Sequence, residues 1–427
     1  MTAKPTHARF RVIVFAVSLA ILSYISRVCI SQAAPDITRD LKLSDVQMGY
    51  IFGAFGLSYA LFEIPGGWLG DKMGPRSVLM RIVIWWSVFT AATGWMWNFT
   101  SLWIVRFLFG AGEAGGFPNL TKIFTSWLPH RERLRAQSFM WTAARWGGAF
   151  TPPLVVLAIR FMNWHWAFVF FGALGVLWAV PFYLWFRDDP HKHPSVNAAE
   201  AAIIGDTSDN AASHGDVPWA ALLRSRSLWL LWLGYFCTSF AWYFYITWLP
   251  KYLQNYWKLS QATSAWYAVF PLLLGGFGCL LSGAIAPLAV KWAGGNRASR
   301  RYTAMAGCLG ASLFLIVAIQ MKDVRWMMAA MAMASFCNDL MMPPAWAACM
   351  DLGGKYAGTV AGSMNMMGNL AGFAAPVFGG YILRATGQNW SVFLYTMAAV
   401  YLVAMLCWPW IDPVTPIETL ALHPSTA

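Results

Sequence analysis

Long apolar stretches separated by short polar segments make up most of this chain. A helix that crosses a lipid bilayer needs about 20 predominantly apolar residues. Twelve stretches approach that length, and they cover residues 10–33, 47–69, 77–97, 102–127, 135–161, 164–186, 227–249, 262–291, 301–321, 326–350, 356–383 and 390–411. This pattern predicts an all-α membrane protein with twelve transmembrane helices.

One long polar segment divides the series into two sets of six. It runs from Asp188 to Arg226 and is rich in Asp, Ser, Asn and His. We therefore predict an N-terminal six-helix bundle over 1–187, a cytoplasmic linker over 188–226 and a C-terminal six-helix bundle over 227–427. The last turns of the linker, residues 219–226, are expected to form an interfacial helix, and His193 near its start is interpreted as solvated.

Composition and charge agree with a membrane class. The chain is 58% hydrophobic and 11% charged, whereas a soluble domain has about 25% charged residues. The net charge of +12 arises from basic residues that concentrate in alternate loops, which is the positive-inside pattern and places both termini in the cytoplasm. Nucleic acid is therefore not expected as a partner. The seven cysteines show neither disulfide nor zinc spacing.

The two predicted bundles resemble each other weakly. AFTPP at 149–153 in the fifth stretch is similar to GFAAP at 372–376 in the eleventh. Internal similarity of this kind is expected of transporters that are built from repeated bundles and bind their substrate between them. The chain is therefore predicted to consist of two pseudo-symmetric halves.

A glycine-rich charged loop, GWLGDKMGPR at 67–76, follows the second stretch. Its glycines allow two helix ends to approach closely, and its charges can hold one face of a transporter closed. The run resembles the signature loop of the major facilitator superfamily at every fixed position. We expect a cytoplasmic gate formed by Gly67, Asp71, Lys72, Gly74, Arg76 and, in the second half, Asp351.

Two charges lie inside the fourth apolar stretch, in RFLFGAGEAGGFPN. Arg106 and Glu113 are nearly two helical turns apart, so they share a helix face. A charge at the bilayer centre costs about 2.5–3.5 kcal/mol, so both are expected to face a cavity. Glu113 is a candidate proton carrier with Arg106 as the partner of its ionised form, although a static ion pair is an alternative.

Arg27 is a second buried base, in the first stretch, with Tyr24 on the same helix face. A guanidinium can hold a carboxylate through two parallel hydrogen bonds, so Arg27 is predicted to anchor an organic anion. Snorkelling of Arg27 to an interface is the alternative interpretation.

These motifs, with TWLP at 247–250 and GSMNMMGNLAG at 362–372, resemble the anion:cation symporter family. This resemblance implies that Glu113 couples protons, that Arg27 binds the substrate carboxylate, and that Tyr59, Trp346 and Asn365 complete the pocket. Bacterial sugar-acid members commonly have an aspartate where this chain has Ser26, so a single proton and near-electroneutral uptake of a monocarboxylate are expected. Arg145 is a further buried base that could add positive field for an anion, or pair with Glu63 or with Asp339.

The sequence therefore predicts a proton-coupled symporter that imports an organic carboxylate, with sugar acids such as a hexonate, glucarate or hexuronate as the first candidates. It is not expected to be an enzyme, to bind a metal or to need any cofactor besides the proton. The expected setting is the bacterial inner membrane, where the protein would be a multi-pass monomer in the lipid bilayer.

Three other functions are possible on the same reasoning. An organophosphate:phosphate antiporter of this fold usually needs a second arginine in the seventh helix, where this chain has no basic residue. Drug efflux fits poorly with buried arginines. A transporter-like sensor would usually carry an additional soluble domain.

Overall fold

The computed structural model describes residues 4–204, 219–353 and 357–415. Within these ranges it leaves undescribed the side chains at 71, 125, 130, 131, 133–135, 137, 138, 219, 221, 350 and 357–359. The described chain is helical, as predicted. Six of its helical segments are long and apolar enough to cross a bilayer by length and composition alone: Ala8–Asp40, Phe139–Trp185, Gln261–Ala293, Asn296–Gln320, Val360–Ala385 and Trp390–Trp410.

The first bundle is formed by the helices that precede the linker. They are α1 (Ala8–Asp40), α2 (Asp45–Met73), α3 (Pro75–Thr93), α4 (Phe99–Glu113), α5 (Gly116–Trp127) and α6 (His130–Trp185). The linker contains a 3-10 turn at Pro190–Lys192 and two short helices, α7 (Ala198–Ile204) and α8 (Trp219–Arg224). The predicted interfacial helix therefore corresponds to α8, which ends two residues earlier than expected.

The second bundle follows directly after the linker. It contains α9 (Arg226–Thr247), α10 (Leu249–Asn255), α11 (Gln261–Ala293), α12 (Asn296–Gln320), α13 (Val324–Gly353), α14 (Ala357–Ala385) and α15 (Trp390–Cys407), and it ends in a 3-10 turn at Trp408–Trp410.

The predicted fourth span, 102–127, is two helices rather than one. α4 ends at Glu113, and Gly115 has a φ of 82°, which separates it from α5. A side chain is excluded at Gly115 because its Cβ would lie 2.6 Å from the backbone of Gly66 in α2. The buried Asn119 donates hydrogen bonds to the carbonyl oxygens of Gly66, at 3.1 Å, and Gly115, at 2.7 Å. The break therefore results from close packing of α2 against this segment.

α6 contains both the fifth and the sixth predicted spans, which turn back on each other at Asn163. That residue has a φ of 56° between two helical arms. The arms begin and end at the same end of the molecule, because Trp127, just before α6, donates a hydrogen bond to the carbonyl oxygen of Arg187, just after it. The helical hairpin thus agrees with two antiparallel spans.

Contact between the bundles is made mainly by α2 against α14 and by α6 against α11. We call the end of the molecule where α1 begins and α15 finishes the termini end, and the opposite end, which carries the Leu41–Ser44 loop, the far end. Between the described residues of the two bundles, hydrogen bonds occur at mid-height, from Arg145 to Asp339 and from Asn365 to Glu63. The others lie at the far end, between the pairs Asp45–Lys251, Asp45–Gln388, Asp36–Gln261, Gln32–Gln261 and Tyr50–Tyr381.

The described hydrogen bonds between the bundles do not extend to the termini end. A Cβ built at Gly283 in α11 or at Gly362 in α14 would have nothing within 4 Å, whereas one at Gly49 would lie 2.5 Å from the carbonyl oxygen of Pro376. Among the described residues, the hydrogen bonds between the bundles therefore lie at mid-height and at the far end.

The start of the linker packs onto the first bundle. His193 is buried between Trp127 and Trp185, and its Nε2 is 2.8 Å from the carbonyl oxygen of Trp185. The interpretation of His193 as solvated was therefore wrong, because two neighbouring tryptophans cover its ring. Burial lowers the pKa of this imidazole, so it is neutral at physiological pH.

Candidate functional site

A polar chamber lies at mid-height between the two bundles. We call it the central chamber and define it by its lining residues, which come from both halves: Tyr24, Arg27, Tyr59, Phe117, Trp141, Arg145, Tyr235, Thr238, Ser239, Trp242, Tyr243, Asn338, Met342, Asn365, Gly368 and Asn369. Basic, amide and aromatic side chains therefore meet where an organic anion could be enclosed.

Arg27 lies in the middle of α1, about 29 Å from its first residue and about 20 Å from its last. Its side chain is 11% exposed, so the snorkelling interpretation was wrong. Rings of Tyr24, Phe55, Tyr59 and Phe117 surround the guanidinium, with centroids 4.8–5.4 Å from its central carbon. This aromatic enclosure can hold the guanidinium by cation–π attraction while its Nη2 has no hydrogen-bond partner.

Glu113 is paired with Arg27 and not with Arg106. The Nε of Arg27 lies 2.8 Å from Oε1 of Glu113, which also accepts a hydrogen bond from Ser23. Oε2 of Glu113 has no partner, and the carboxylate is buried. The sequence correctly placed Glu113 beside a buried arginine, but that arginine belongs to α1.

Arg106 packs against a ring and forms no ion pair with Glu113 among the described contacts. Its guanidinium lies 4.3 Å from the centroid of Phe109, and its Nε and Nη1 atoms make no hydrogen bond. The predicted Arg106–Glu113 pair was therefore wrong. α4 and α2 approach closely at Gly110, where a Cβ would lie 2.2 Å from Oγ of Ser58, and this contact holds the Arg106 face against α2.

Arg145 links the two bundles through Asp339. Its Nη2 lies 3.0 Å from Oδ1 of Asp339, and the guanidinium lies 4.5 Å from the Trp242 ring. Asn338 also donates to Oδ1 at 2.9 Å, whereas Oδ2 has no partner. Arg145 therefore pairs with Asp339 and not with Glu63. The reason is that α6, which carries Arg145, faces the second bundle and not α2.

Glu63 and Asn365 form a second connection between the bundles. Nδ2 of Asn365 in α14 donates to Oε1 of Glu63 in α2 at 3.1 Å. Asn369, one turn later, donates to the carbonyl oxygen of Asn365 and accepts from the hydroxyl of Tyr243 at 3.0 Å. Tyr59 lines the chamber with a buried hydroxyl that has no partner.

Trp346 is the one predicted pocket residue that does not line the chamber. It is partly buried and packs against Trp141 and Tyr235, which do. The reasoning from sequence did not identify Trp141, Tyr235, Trp242, Tyr243 and Asn338. The aromatic run FAWYFY in α9 was a signal for two of them, but periodicity alone could not decide which of its rings face inward.

The predicted gate residues lie at the termini end of the first bundle. The backbone N–H of Arg76 donates to Asp188 at 2.8 Å, and its side chain donates to the carbonyl oxygen of Tyr183. Gly74 has a φ of 83°, and a Cβ there would meet Asp188 at 2.7 Å.

Three further gate residues were predicted beside these. Lys72 lies 5.0 Å from the Trp68 ring, and Gly67 faces Pro118. The side chain of Asp71 lies outside the described residues.

Asp351 is paired within the second bundle. Its Oδ2 lies 2.6 Å from Nη1 of Arg300 in α12. This contact fixes α13 to α12 at the termini end and does not cross to the first bundle, as is expected where the bundles are apart.

The family model of the Major Facilitator Superfamily matches residues 16–376. A crystal structure of a bacterial homologue of the human lysosomal transporter Spinster, in an inward-facing and unoccupied conformation, has a TM-score of 0.74 and 19% identity. The alignment covers 96% of this chain and 97% of that one. This likeness concerns the fold.

Curated relatives align over nearly their whole length. A protein from Cupriavidus necator named a probable sulfoacetate transporter is 34% identical over 400 residues, which are 93% of this chain and 92% of the relative. A Bacillus subtilis protein named a probable galactarate/D-glucarate transporter is 30% identical, with 90% and 88% covered. The D-galactonate transporter of Escherichia coli is 29% identical, with 95% of each chain covered.

Proposed function

This chain belongs to the major facilitator superfamily, as its signature loop predicted, and from that premise we propose that it is a proton-coupled symporter of an organic carboxylate. The family is one of transporters, and the first candidate substrates are sugar acids. Import proceeds by alternating access, in which the two bundles move against each other around the central chamber.

The Arg27–Glu113 ion pair is the observation that carries this proposal. Arg27 lines the chamber, whereas Glu113 lies directly behind it, and the two groups are 2.8 Å apart. A substrate carboxylate and Glu113 compete for the same guanidinium, because both are anions that bind its N–H groups. Protonation of Glu113 removes its negative charge and frees Arg27 for the substrate. Proton and anion therefore bind together, which is the requirement for symport.

Polar groups around Arg27 fit a hydroxylated acid. The hydroxyl of Tyr59 has no partner, and Asn365 and Asn369 offer amide donors and acceptors. Trp141 and Trp242 provide apolar faces that can cover the carbon skeleton of a sugar. The relatives named for galactonate and for glucarate support this class, and the relative named for sulfoacetate adds a smaller sulfonated acid to the candidates.

Orientation follows from the distribution of charge. Basic residues concentrate in the loops of the termini end, so we place that end in the cytoplasm of a bacterial inner membrane. In this orientation the described hydrogen bonds at the far end join the bundles on the outer side, so we infer a conformation that is open to the cytoplasm. Arg76 and Asp351, with Asp71, Lys72 and the two loop glycines, then belong to the gate that closes in the other half of the cycle.

Uptake into proteoliposomes tests the proposal. The purified protein is reconstituted, an inward proton gradient is imposed, and the accumulation of D-galactonate, D-glucarate, D-glucuronate and sulfoacetate is measured. We expect at least one of these acids to accumulate above its external concentration and to be released when an uncoupler is added. If all four stay at equilibrium while the gradient persists, the proposal is wrong.

The same vesicles separate the alternatives. An organophosphate:phosphate antiporter would require phosphate on the inner side and would exchange without a proton gradient. A sensor would bind one of these acids without moving it. Accumulation driven by the proton gradient in the absence of internal phosphate excludes both functions.

A further inference from the structure

Glu63 is a buried acid that the mechanism above does not use. It lies in α2 and is 2% exposed, with Oε1 bonded to Asn365 and Oε2 without a partner. Tyr59 precedes it by one helical turn and therefore shares its helix face. Since Asn365 and Tyr59 both line the central chamber, Glu63 lies directly behind the chamber wall, in the same layer as Glu113.

Charged groups near Glu63 come from two other helices. Arg27 of α1 and Glu113 of α4 act on it electrostatically, and Tyr243 of α9 and its own neighbour Tyr59 are the nearby phenols. α14 faces it with the neutral amide of Asn365. Arg27 is already bonded to Glu113, so Glu63 has no cation of its own among its described contacts.

Basic residues of α3 and α5 lie too far along α2 to serve that role. Lys122 donates to the carbonyl oxygen of Gly70 and Arg81 to the sulfur of Met73. These two positions are about 10 and 15 Å beyond Glu63 along the helix axis. Arg76, at the start of α3, is bonded to Tyr183 and Asp188.

The charges around the chamber balance before a substrate enters. In the described part of the chain three basic groups, Arg27, Arg106 and Arg145, surround it together with three acidic ones, Glu63, Glu113 and Asp339. Arg106 acts on Glu113 electrostatically but forms no ion pair with it among the described contacts. An incoming anion that takes Arg27 therefore leaves both glutamates without an ion-pair partner in a site of low polarity, where an unpaired carboxylate is strongly disfavoured. Asp339 keeps Arg145.

We propose that Glu63 is a second proton-binding residue, which is loaded together with Glu113 when a divalent organic anion displaces Glu113 from Arg27. The inference rests on the proposed function. One proton binds a carboxylate oxygen of Glu113 and the other binds Oε2 of Glu63, so two positive charges enter with two negative ones. Ser26 in α1 cannot bind the second proton because it has no carboxylate. Glu63 in α2 thus provides the second proton site.

This assignment determines the electrical behaviour of transport. Two protons with a dicarboxylate or a sulfonated carboxylate move no net charge, whereas two protons with a monocarboxylate move one positive charge inward. For each unit charge, 100 mV changes the accumulation ratio by about 50-fold. With two proton sites, electroneutral uptake is therefore expected for divalent acids and not for monovalent ones.

Glu63→Gln tests the proposal, because glutamine keeps an acceptor for Asn365 and cannot bind the proton. Proteoliposomes of the wild type and of the variant take up D-glucarate under a fixed proton gradient, with the voltage set by potassium and valinomycin. Wild-type accumulation should not change with voltage. The variant should carry one proton with a dianion, so that 100 mV, inside negative, lowers its accumulation about 50-fold.

If the wild type accumulates D-galactonate and not D-glucarate, the voltage dependence of D-galactonate accumulation is measured. Inside-negative voltage should then raise wild-type accumulation about 50-fold per 100 mV and leave the variant unaffected. Glu132→Gln, an acid-to-amide change at the termini end where Glu132 pairs with Arg9, is the matched control and should respond like the wild type. Equal voltage dependence in wild type and Glu63→Gln would overturn the inference.

An infrared titration decides the matter if Glu63→Gln transports nothing, because acid pH can load Glu63 with a proton without a substrate. Difference spectra between high and low pH should show a protonated-carboxyl band in the wild type that is missing in the folded variant, and identical spectra would overturn the inference. If the wild type accumulates none of the four acids D-galactonate, D-glucarate, D-glucuronate and sulfoacetate, the proposed symport fails, while the infrared comparison still reports on Glu63 separately.

Discussion

At the scale of single residues, the proposed transport depends on one arginine for which the substrate and Glu113 compete. Arg27 is held by four aromatic rings and one carboxylate, and its Nη2 remains unbonded. A guanidinium offers five donors in a planar fork, whereas an ammonium offers a compact charge. The geometry of the fork, and not the charge alone, therefore determines how well a carboxylate binds.

Arg27→Lys tests this distinction. The lysine keeps the positive charge but loses the fork, so we expect substrate affinity to fall by about 10- to 100-fold, which corresponds to one or two charge-assisted hydrogen bonds. Thermal-shift titration with the accumulated acid measures the affinity. Arg27→Ala should abolish binding, and Arg27→Ala combined with Glu113→Gln is the folding control because it also removes the carboxylate that pairs with Arg27. Unchanged affinity in Arg27→Lys would refute the role of the fork.

Glu113→Gln isolates proton coupling from substrate binding. The amide resembles the protonated acid and leaves Arg27 free, so the substrate should still bind and exchange across the membrane. Uphill uptake at a given proton gradient should fall, because no proton is exchanged at this site and only the proton bound by Glu63 remains. Counterflow and gradient-driven uptake, measured on the same vesicles, separate the two activities. Accumulation equal to that of the wild type would contradict the coupling role of Glu113.

At the scale of elements, helix ends and breaks place the functional groups. α4 terminates at Glu113 because Gly115 and Gly66 pack backbone to backbone, and Asn119 satisfies two carbonyl oxygens there. Carbonyl groups at a helix end would otherwise be unpaired in a membrane. The break therefore positions Glu113 beside α1, where it meets Arg27.

The N-terminus of α1 is held by the linker helix α7. The buried carboxylate of Glu200 accepts hydrogen bonds from the backbone N–H groups of His7 and Arg9 and from the Arg9 side chain, at 2.9–3.2 Å. An anion at this position stabilises a helix N-terminus. Burial raises the pKa of Glu200, but the hydrogen bonds from Arg9 and His7 lower it more, so the pKa lies below its ordinary value of 4.5.

Glu200→Gln should therefore destabilise the protein in a pH-dependent way. A carboxyl whose pKa is lower in the folded state stabilises it above the unfolded pKa, and this contribution disappears as the pH falls. We expect the variant to melt about 2–5 °C below the wild type near neutral pH, with the gap shrinking below pH 4.5. Melting curves in detergent between pH 4 and 8 measure this gap, and a gap that grows with acidification would contradict the sign.

At the scale of the whole molecule, the described hydrogen bonds between the bundles lie at mid-height and at the far end. Glycines of α2 allow α14 to approach at the far end, where Asp45 is bonded to both Lys251 and Gln388. The ion pairs described at the termini end do not join the two bundles, for example the pair of Asp351 with Arg300. Alternating access then requires the far-end contacts to break as those of the termini end form.

Gly49→Leu should shift this equilibrium. A Cβ at Gly49 would lie 2.5 Å from the carbonyl oxygen of Pro376, so the variant disfavours the closed far end. Gly283→Leu is the control for exchange at the far end, since nothing lies within 4 Å of a Cβ there. We expect faster hydrogen–deuterium exchange over 45–56 and 369–381 in Gly49→Leu alone, and uptake by Gly49→Leu at least tenfold slower than by the wild type. Equal exchange in both variants would show that this contact does not hold the far end closed.

The sequence by itself determined the membrane class, the two six-helix halves, the signature loop and the presence of buried charges. Apolar length and the high free-energy cost of a charge in lipid are local properties that can be seen in one chain segment. Arg27 and Glu113 were identified in this way, as was a membrane-embedded base at Arg145.

Only the tertiary structure decided which charges meet. Helical periodicity places Arg106 and Glu113 on one face, but Arg27 from α1 lies 2.8 Å from Glu113 and Arg106 packs against Phe109. The pairing of Arg145 with Asp339, and of Asn365 with Glu63, crosses from one bundle to the other. Such contacts depend on how separate helices are rotated and packed. The spacing of residues within one helix carries no information about this packing.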